Sequence, residues 1–453
     1  MQVSVPAEAQ HLRIRERGLA VESPPGCVVL HVLFLDYGSA RRQFPVETCL
    51  ETTVKYAVRS DGGTRVFRPG TCIAAIAKGL EAMGIYEDIG VRPVINAIGT
   101  ATRFGGALLD PEIMETMRVA SREFCILDEL HEKAGEKVAR MLGVEAAYVT
   151  ASAACGLVIT TASCMTGTDP ERIRQLPDTT GMRDEVVVQK THRIAYDQAI
   201  RLTGAKLIEL DDSDGPPVEA MRAAIGDGIR TAAVFYLGKN FNDDNAVPLE
   251  QAVAMAHAVD VPVIVDAASE CPPVSTLTRF TEAGADLVIF SGGKSLQGPQ
   301  STGLIIGRKD LISACAVNGT PFATVGRPMK VSREEIFAFI KALEIYLNRD
   351  HAADAAAWEE KVRYIEGELD DIPHVTLGRL DPEETYAVPQ LRVSIGPEAG
   401  LTGDDAVRAL LDGHPRIIVQ ERGEEGFSIN PHNLQDGQER IVADRCREVL
   451  TGG

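Results

Sequence analysis

The sequence predicts an α/β fold: a mostly parallel, βα-wound sheet, followed by a smaller C-terminal α/β domain and preceded by an extra small N-terminal unit. Three observations lead there. Short apolar runs bounded by turn residues recur through the middle of the chain, separated by segments of helical length, as parallel strands with helical crossovers require. One run, 287–290, ends in Ser291-Gly-Gly-Lys294, a lysine delivered on a glycine turn. Three more residues able to do chemistry, Ser152, His192 and Asp266, also follow the ends of runs, and ligands of wound sheets collect at the carboxyl ends of strands.

Residues 1–90 read as a small α+β unit. Segments 54–59 and 64–68 alternate across Ser60-Asp-Gly-Gly63, a hairpin signal. The apolar run 27–35 adds a strand, and 71–83 has helical spacing that stops before Gly84. No chemistry stands out here, and an oligomer contact or a lid is an equally open role.

Residues 91–321 read as the large domain. Val94-Ile-Asn96-Ala-Ile-Gly99 is a strand running into a loop rich in glycine and threonine that ends at Gly106. Asp110-Pro111 starts a helix with an acidic N-cap and a proline in the first turn, and a second helix covers 130–141 up to Gly143. The strand 146–150 passes into Ala-Ser152-Ala153-Ala154-Cys-Gly156 and an apolar helix. Small residues at a helix N-terminus leave backbone N–H groups and the helix dipole open to a phosphate; close helix packing explains the same residues. Strands are expected at 185–189, 206–210, 231–236, 261–266 and 287–290, with 303–307 as an antiparallel partner.

Residues 322–453 read as the small C-terminal domain. Ser332-Arg-Glu-Glu335 has capping-box spacing and opens a helix to 348. A second helix covers 351–369, followed by strands at 375–377, 391–395, 417–419 and 426–429 and a final helix.

Composition narrows the function. The chain has 453 residues, 45% of them apolar and 25% charged, which suits a soluble globular protein of two or three domains. The longest apolar run, 27–35, contains His31 and is too short to span a bilayer, and no leader-like segment opens the chain; the expectation is a cytoplasmic protein without membrane contact. Nine cysteines, scattered without a CxxC pair, point to reduced thiols and away from a metal site. A formal charge of −19 disfavours nucleic acid, while leaving room for a small phosphate.

Lys294, Asp266 and His192 have one joint explanation. A lysine that forms a Schiff base must lose its proton from an ordinary pKa of ~10.4. Asp266 closes an apolar strand, where a buried carboxylate requires a cation, and a protonated pyridine nitrogen supplies one. His192 follows a strand by three residues and could stack on that ring; a structural histidine is the other reading. Pyridoxal 5′-phosphate joins the cup, the histidine, the aspartate and the lysine in one site.

In that order of residues the sequence resembles the fold-type-I pyridoxal-phosphate enzymes, and within them the branch of the selenocysteine synthases (L-seryl-tRNA selenium transferases) and D-glucosaminate-6-phosphate ammonia-lyase. The resemblance is carried by Val94-Ile-Asn96-Ala-Ile-Gly99, Asp128-Glu-Leu-His131-Glu-Lys-Ala-Gly135, Ala146-Ala-Tyr-Val-Thr150, Gln189-Lys-Thr-His192-Arg-Ile-Ala-Tyr196-Asp197, Asp266-Ala-Ala, Ser291-Gly-Gly-Lys294 and Gly326-Arg327-Pro-Met-Lys330. It covers about residues 91–453. It implies Lys294 as the Schiff-base lysine, Asp266 as the pyridinium partner and His192 as the stacking group. Ser152, Ala153, Ala154 and Ser291 would hold the phosphate. Arg327 and Lys330 would hold substrate anions or help with the phosphate, with Arg327 on the segment expected to cross a dimer interface. Asn96 would bind substrate, as would Arg392, a weaker candidate whose other reading is a solvated strand face. The net charge and an N-terminal 90 residues unlike a tRNA-binding domain favour a small-molecule lyase. Its substrate would be an amino acid or amino-sugar acid, undergoing α-proton removal, β-elimination and release of a keto acid and ammonia. Racemisation is the nearest alternative, and a seryl-tRNA selenium transferase-like reaction stands further off. A homodimer or higher even oligomer is expected.

Overall fold

The computed structural model describes residues 85–452 except 211–216, 242, 244 and 381–385, together with four short strands in the first 67 residues. The chain divides into two units between Val91 and Arg92. In the first, β1 (Arg13–Arg15) pairs antiparallel with β2 (Phe34–Asp36). The expected hairpin is present: β3 (Tyr56–Ser60) and β4 (Gly63–Phe67) pair antiparallel, with Ser60 opposite Gly63. The helix expected over 71–83 and most of the run 27–35 lie outside the described residues.

The second unit holds two sheets. After β5 (Val94–Ala97) come β6 (Ala146–Thr150), β7 (Glu185–Gln189), β8 (Lys206–Leu210), β9 (Thr231–Leu237), β10 (Val263–Asp266), β11 (Leu287–Ser291) and β12 (Gly303–Gly307). Strands β6 to β12 form one sheet in the order β6-β12-β11-β10-β9-β7-β8. The pairs among β7 to β11 are parallel, and β12 runs antiparallel to both β11 and β6. Helices cover both faces, so successive side chains of one strand enter different cores. Leu287 and Ile289 join one apolar cluster, and Val288 and Phe290 the other. That is why β11 is apolar throughout rather than alternating, and each such side chain contributes roughly 1.5–3 kcal/mol by burial.

Helix limits follow local chemistry. Pro111–Ala120 starts from an Asp110 side chain that accepts from the Glu112 N–H. Leu127–Leu142 stops at Gly143 in the left-handed conformation. Arg333–Asn348 carries the full capping box between Ser332 and Glu335. No helix among the described residues is long and apolar enough to cross a membrane.

The second sheet corrects one expectation. Its strands are β13 (Val375–Leu380), β14 (Gln390–Ile395), β15 (Arg416–Glu421) and β16 (Gly426–Ile429), but its edge is β5, parallel to β15 with Ile95 opposite Ile417. Val94–Ala97, placed by chain position in the large domain 91–321, belongs to the C-terminal sheet. The buried Ile95 and Ala97 complete that sheet's apolar core, and more than 300 residues of intervening chain conceal the pairing from local sequence patterns.

Candidate active site

The ends of β6, β7, β10 and β11 lie at one edge of the large sheet, because these strands run the same way. The residues that follow them, Ser152, His192, Asp266 and Lys294, are thereby gathered there.

Ser152 opens the helix Ala153–Thr166 with φ 140° and ψ 165°, a conformation that L-residues rarely adopt. Strain of this kind costs on the order of 1–3 kcal/mol and gathers at functional sites. Its Oγ accepts from the Cys155 N–H at 3.2 Å, and its carbonyl accepts from the Gly156 N–H at 2.9 Å. Among the described residues this leaves the Ala153 and Ala154 N–H groups without a protein acceptor, at the positive end of a 14-residue helix. Gly303 begins β12 against the Ser152–Ala153 peptide, where any Cβ would collide with it. Gly156 meets Ile289 in the same way, so cup and close packing, the two readings of this stretch, are both realised. Thr150, the last residue of β6, has a buried hydroxyl without a hydrogen-bond partner.

His192 is fully buried. The Leu237 N–H donates to its Nδ1 at 3.3 Å, which puts the ring proton on Nε2, and Nε2 has no partner. The ring meets Tyr236 edge-on, with centroids 4.3 Å apart. Burial lowers its pKa to about 4, against a smaller opposing pull from Asp243. A neutral imidazole with an unused N–H is therefore fixed at the strand ends.

Asp266 is 6% exposed, and among the described residues its hydrogen bond comes from the Ala268 N–H at 3.0 Å. Burial raises its pKa, while the Ala268 N–H and Lys294 act the other way. Lys294 is half-buried; burial lowers its pKa, and Asp266 and Glu270 oppose the shift. Each charge is thus costly alone and eased by the other.

The lysine turn is clamped from the far sheet. The Ala107 N–H donates to the Gly293 carbonyl at 3.1 Å, and Gly106, at φ +74°, lies so close to that carbonyl that a Cβ would overlap it. Asn433 Nδ2 in turn donates to the Gly99 and Gly106 carbonyls at 2.9 and 2.8 Å. Sequence reading missed this clamp; the Gly105-Gly106 pair was its one local signal.

The expected substrate groups are dispersed. Asn96 spends its side chain within its own loop, accepting from the Ile98 N–H and donating to the Gly99 carbonyl. Arg392 lies on β14 and pairs with Glu425 at 3.0 Å. Arg327 and Lys330 are exposed on the segment before Arg333–Asn348, and neither forms an ion pair among the described residues. Ser291 ends β11, half-buried. Among the described residues no group of three His, Cys, Asp or Glu side chains could hold a metal.

The residues present fit pyridoxal 5′-phosphate: an open helix N-terminus for the phosphate, a buried carboxylate for the pyridinium, an orphaned imidazole N–H and a lysine of lowered pKa. Residues 127–395 match the aminotransferase class-V family, and the chain belongs to it. It is an α/β pyridoxal-phosphate enzyme of fold type I. Over 376 residues it is 32% identical to the D-glucosaminate-6-phosphate ammonia lyase of Salmonella typhimurium (strain 14028s / SGSC 2262), covering 81% of this chain and 97% of that one. A solved structure of D-glucosaminate-6-phosphate ammonia-lyase superposes with a TM-score of 0.68 at 30% identity, over 82% of this chain and 98% of that one. The chain is also 31% identical to a 5′-C-glycyluridine monooxygenase-decarboxylase of Streptomyces sp, over 81% of this chain and 92% of that protein. An L-seryl-tRNA(Sec) selenium transferase of Nitratidesulfovibrio vulgaris (strain ATCC 29579 / DSM 644 / CCUG 34227 / NCIMB 8303 / VKM B-1760 / Hildenborough) is 25% identical over 82% of this chain and 84% of its own length.

Proposed function

We propose that the protein is a pyridoxal-phosphate-dependent lyase that eliminates a β-substituent from a small amino acid or amino-sugar acid, giving a keto acid and ammonia. The observation that carries this reading is the likeness to D-glucosaminate-6-phosphate ammonia lyase, in sequence and in structure, across four-fifths of the chain. The cofactor supplies an electron sink for the pair left when the α-proton departs. The chain supplies the rest. Ala153 and Ala154 N–H groups, with Ser152 and Ser291, would hold the phosphate; Asp266 would keep the ring nitrogen charged; His192 would stack on the ring.

Lys294 Nζ moves the proton. It would take the proton from the substrate α-carbon and return it to the β-oxygen, which departs as water with its bonding pair while the α-carbon pair closes the Cα–Cβ double bond. The enamine so released tautomerises to an imine, which water hydrolyses to the keto acid and ammonia. The lowered pKa of Lys294 supports a base that is unprotonated often enough to begin this cycle. Arg327 and Lys330 would bind substrate anions; their exposure and their lack of an ion pair among the described residues support that role. Exposed Leu108, Phe124 and Ile126 support a homodimer or higher even oligomer. The six described cysteines are all free, which supports a cytoplasmic location.

The test is a screen of amino acids and amino-sugar acids that follows ammonia and keto acid together, with oxygen uptake and carbon dioxide as parallel readouts. Ammonia and keto acid in equal amounts are expected. Oxygen-dependent loss of carbon dioxide would replace the lyase reading by chemistry like that named for the Streptomyces relative. Borohydride reduction of the holoenzyme is expected to fix the cofactor to Lys294, and a label mapped to another residue would remove this site.

A further inference from the structure

We infer that Glu270 is a positioning residue of this site, a second carboxylate that keeps the transferred proton on Lys294 Nζ until the leaving group takes it. The proton's route rests on the lyase reading; the placement of Glu270 does not. Glu270 lies four residues past the end of β10 and is 3% exposed. Its N–H donates to the Ala267 carbonyl at 3.2 Å, and the Ser269 hydroxyl donates to its Oε1 at 2.8 Å. Its Cγ would sit 3.2 Å from a Cβ on Gly238, the residue after β9. The carboxylate is thus wedged between the ends of β9 and β10, beside β11 and its lysine. The next residue ties the two loops together, because the Ser295 hydroxyl donates to the Cys271 carbonyl.

Two carboxylates therefore act on one amine. Asp266 and Glu270 both pull the Lys294 pKa up against burial. Among the described residues, burial pushes the Cys271 thiol up to about 12, raises the Tyr346 hydroxyl and lowers His192 to about 4, so these three add no charge of their own at neutral pH. Once the pyridinium is in place, the charge of Asp266 is matched to it. Glu270 is then a second negative charge that still acts on an ammonium at Nζ, a charge that is expensive to hold in a dry site.

The test begins on the apoenzyme, without substrate. Trinitrobenzenesulfonate labelling of Lys294 at pH 7, read by peptide mapping, is expected to run about three- to tenfold faster in Glu270→Gln, since each pKa unit changes the free-amine fraction about tenfold. Glu270→Asp keeps the charge and should stay within about twofold of wild type. Glu270→Met removes the charge without burying an amide, and the same rise is expected of it should Glu270→Gln not fold. In the holoenzyme kcat for a β-hydroxy substrate should fall at least about tenfold with little change in KM. β-Chloroalanine, whose chloride leaves without a proton, should lose much less. Labelling profiles of the neutral variants that superimpose on wild type from about pH 6 to 10 would overturn the inference whatever the substrate proves to be. Altered labelling in an enzyme that releases no ammonia would instead sink the lyase reading and leave Glu270 where it is.

Discussion

Two aspartates at opposite edges of one sheet show what separates a structural charge from a functional one. Asp286 precedes β11 and is 2% exposed; Asp266 ends the neighbouring β10 and is 6% exposed. Asp286 is saturated. It accepts from the Val263 N–H at 2.7 Å and Arg308 Nη1 at 2.9 Å, and it meets His257 Nε2 at 2.8 Å. Asp266 has the Ala268 N–H and the field of Lys294. Burial is nearly equal in the two, so burial alone identifies neither. What differs is hydrogen-bonding capacity left over, and at the Asp266 edge the unused Nε2–H donor of His192 and the unpartnered Thr150 hydroxyl add to it. Unsatisfied polar groups occur singly elsewhere in the core, as at His131; it is their gathering at one set of strand ends that points to a ligand.

The largest expected effect crosses the two sites. Asp266→Asn should retain pyridoxal phosphate, because the helix N-terminus is untouched, yet lose about 10²-fold or more in kcat as the ring nitrogen loses its counter-charge. Asp286→Asn should do the reverse. It breaks a buried ion cluster worth about 3 kcal/mol and lowers the unfolding midpoint, with kcat per folded molecule near wild type. Cofactor absorbance, steady-state rates and calorimetry on both proteins decide it. Equal losses of activity would erase the distinction between the two aspartates.

A smaller effect tests the clamp on the lysine turn. Gly106→Ala forces a side chain onto the Gly293 carbonyl at a backbone conformation that disfavours one. It should slow turnover by about tenfold through a displaced Lys294, since small misplacements near the chemistry are costly. The borohydride-fixed label should stay on Lys294 at reduced yield. Wild-type kcat in this variant would show that the loop does not position the lysine.

How much of this was legible in the sequence follows from distance along the chain. Strand ends were legible: the runs before His192, Asp266 and Lys294 carry their own boundaries within a few residues. The cup was half legible, because Ser152 and its small neighbours announce close approach, but the partner they approach, Gly303, lies 150 residues on. The placement of β5 beside β15 was hidden for the same reason. Arg392 is the weaker candidate for a substrate carboxylate, since an arginine in a strand ordinarily faces solvent; in the structure it pairs with Glu425. Glu270 was passed over because an acidic residue before two prolines reads as a polar turn. Only the packing against Gly238 marks it as buried.

The smallest effect concerns the buried histidines. His131, His192 and His432 are each held at about 4 by burial, below the ordinary 6.5. In this window the unfolded chain binds more protons than the folded one, so stability rises with pH between about 4 and 6.5 and falls on acidification. The stabilisation is fully present above pH 6.5 and is lost as pH drops toward 4, at up to about 3 kcal/mol for each histidine. His131 separates this from the active site. It is 4% exposed, both its ring nitrogens lack partners, and it stacks on Tyr148 at 5.0 Å. His131→Phe keeps the stack and removes one titrating group without touching Lys294 or the strand ends. The unfolding midpoint of the variant should therefore fall less steeply than wild type between about pH 6.5 and 5, by roughly a third if the three histidines contribute equally, with kcat at neutral pH unchanged. An identical slope would mean that His131 does not stay neutral through this range, and that the acid sensitivity of the fold resides in the other two.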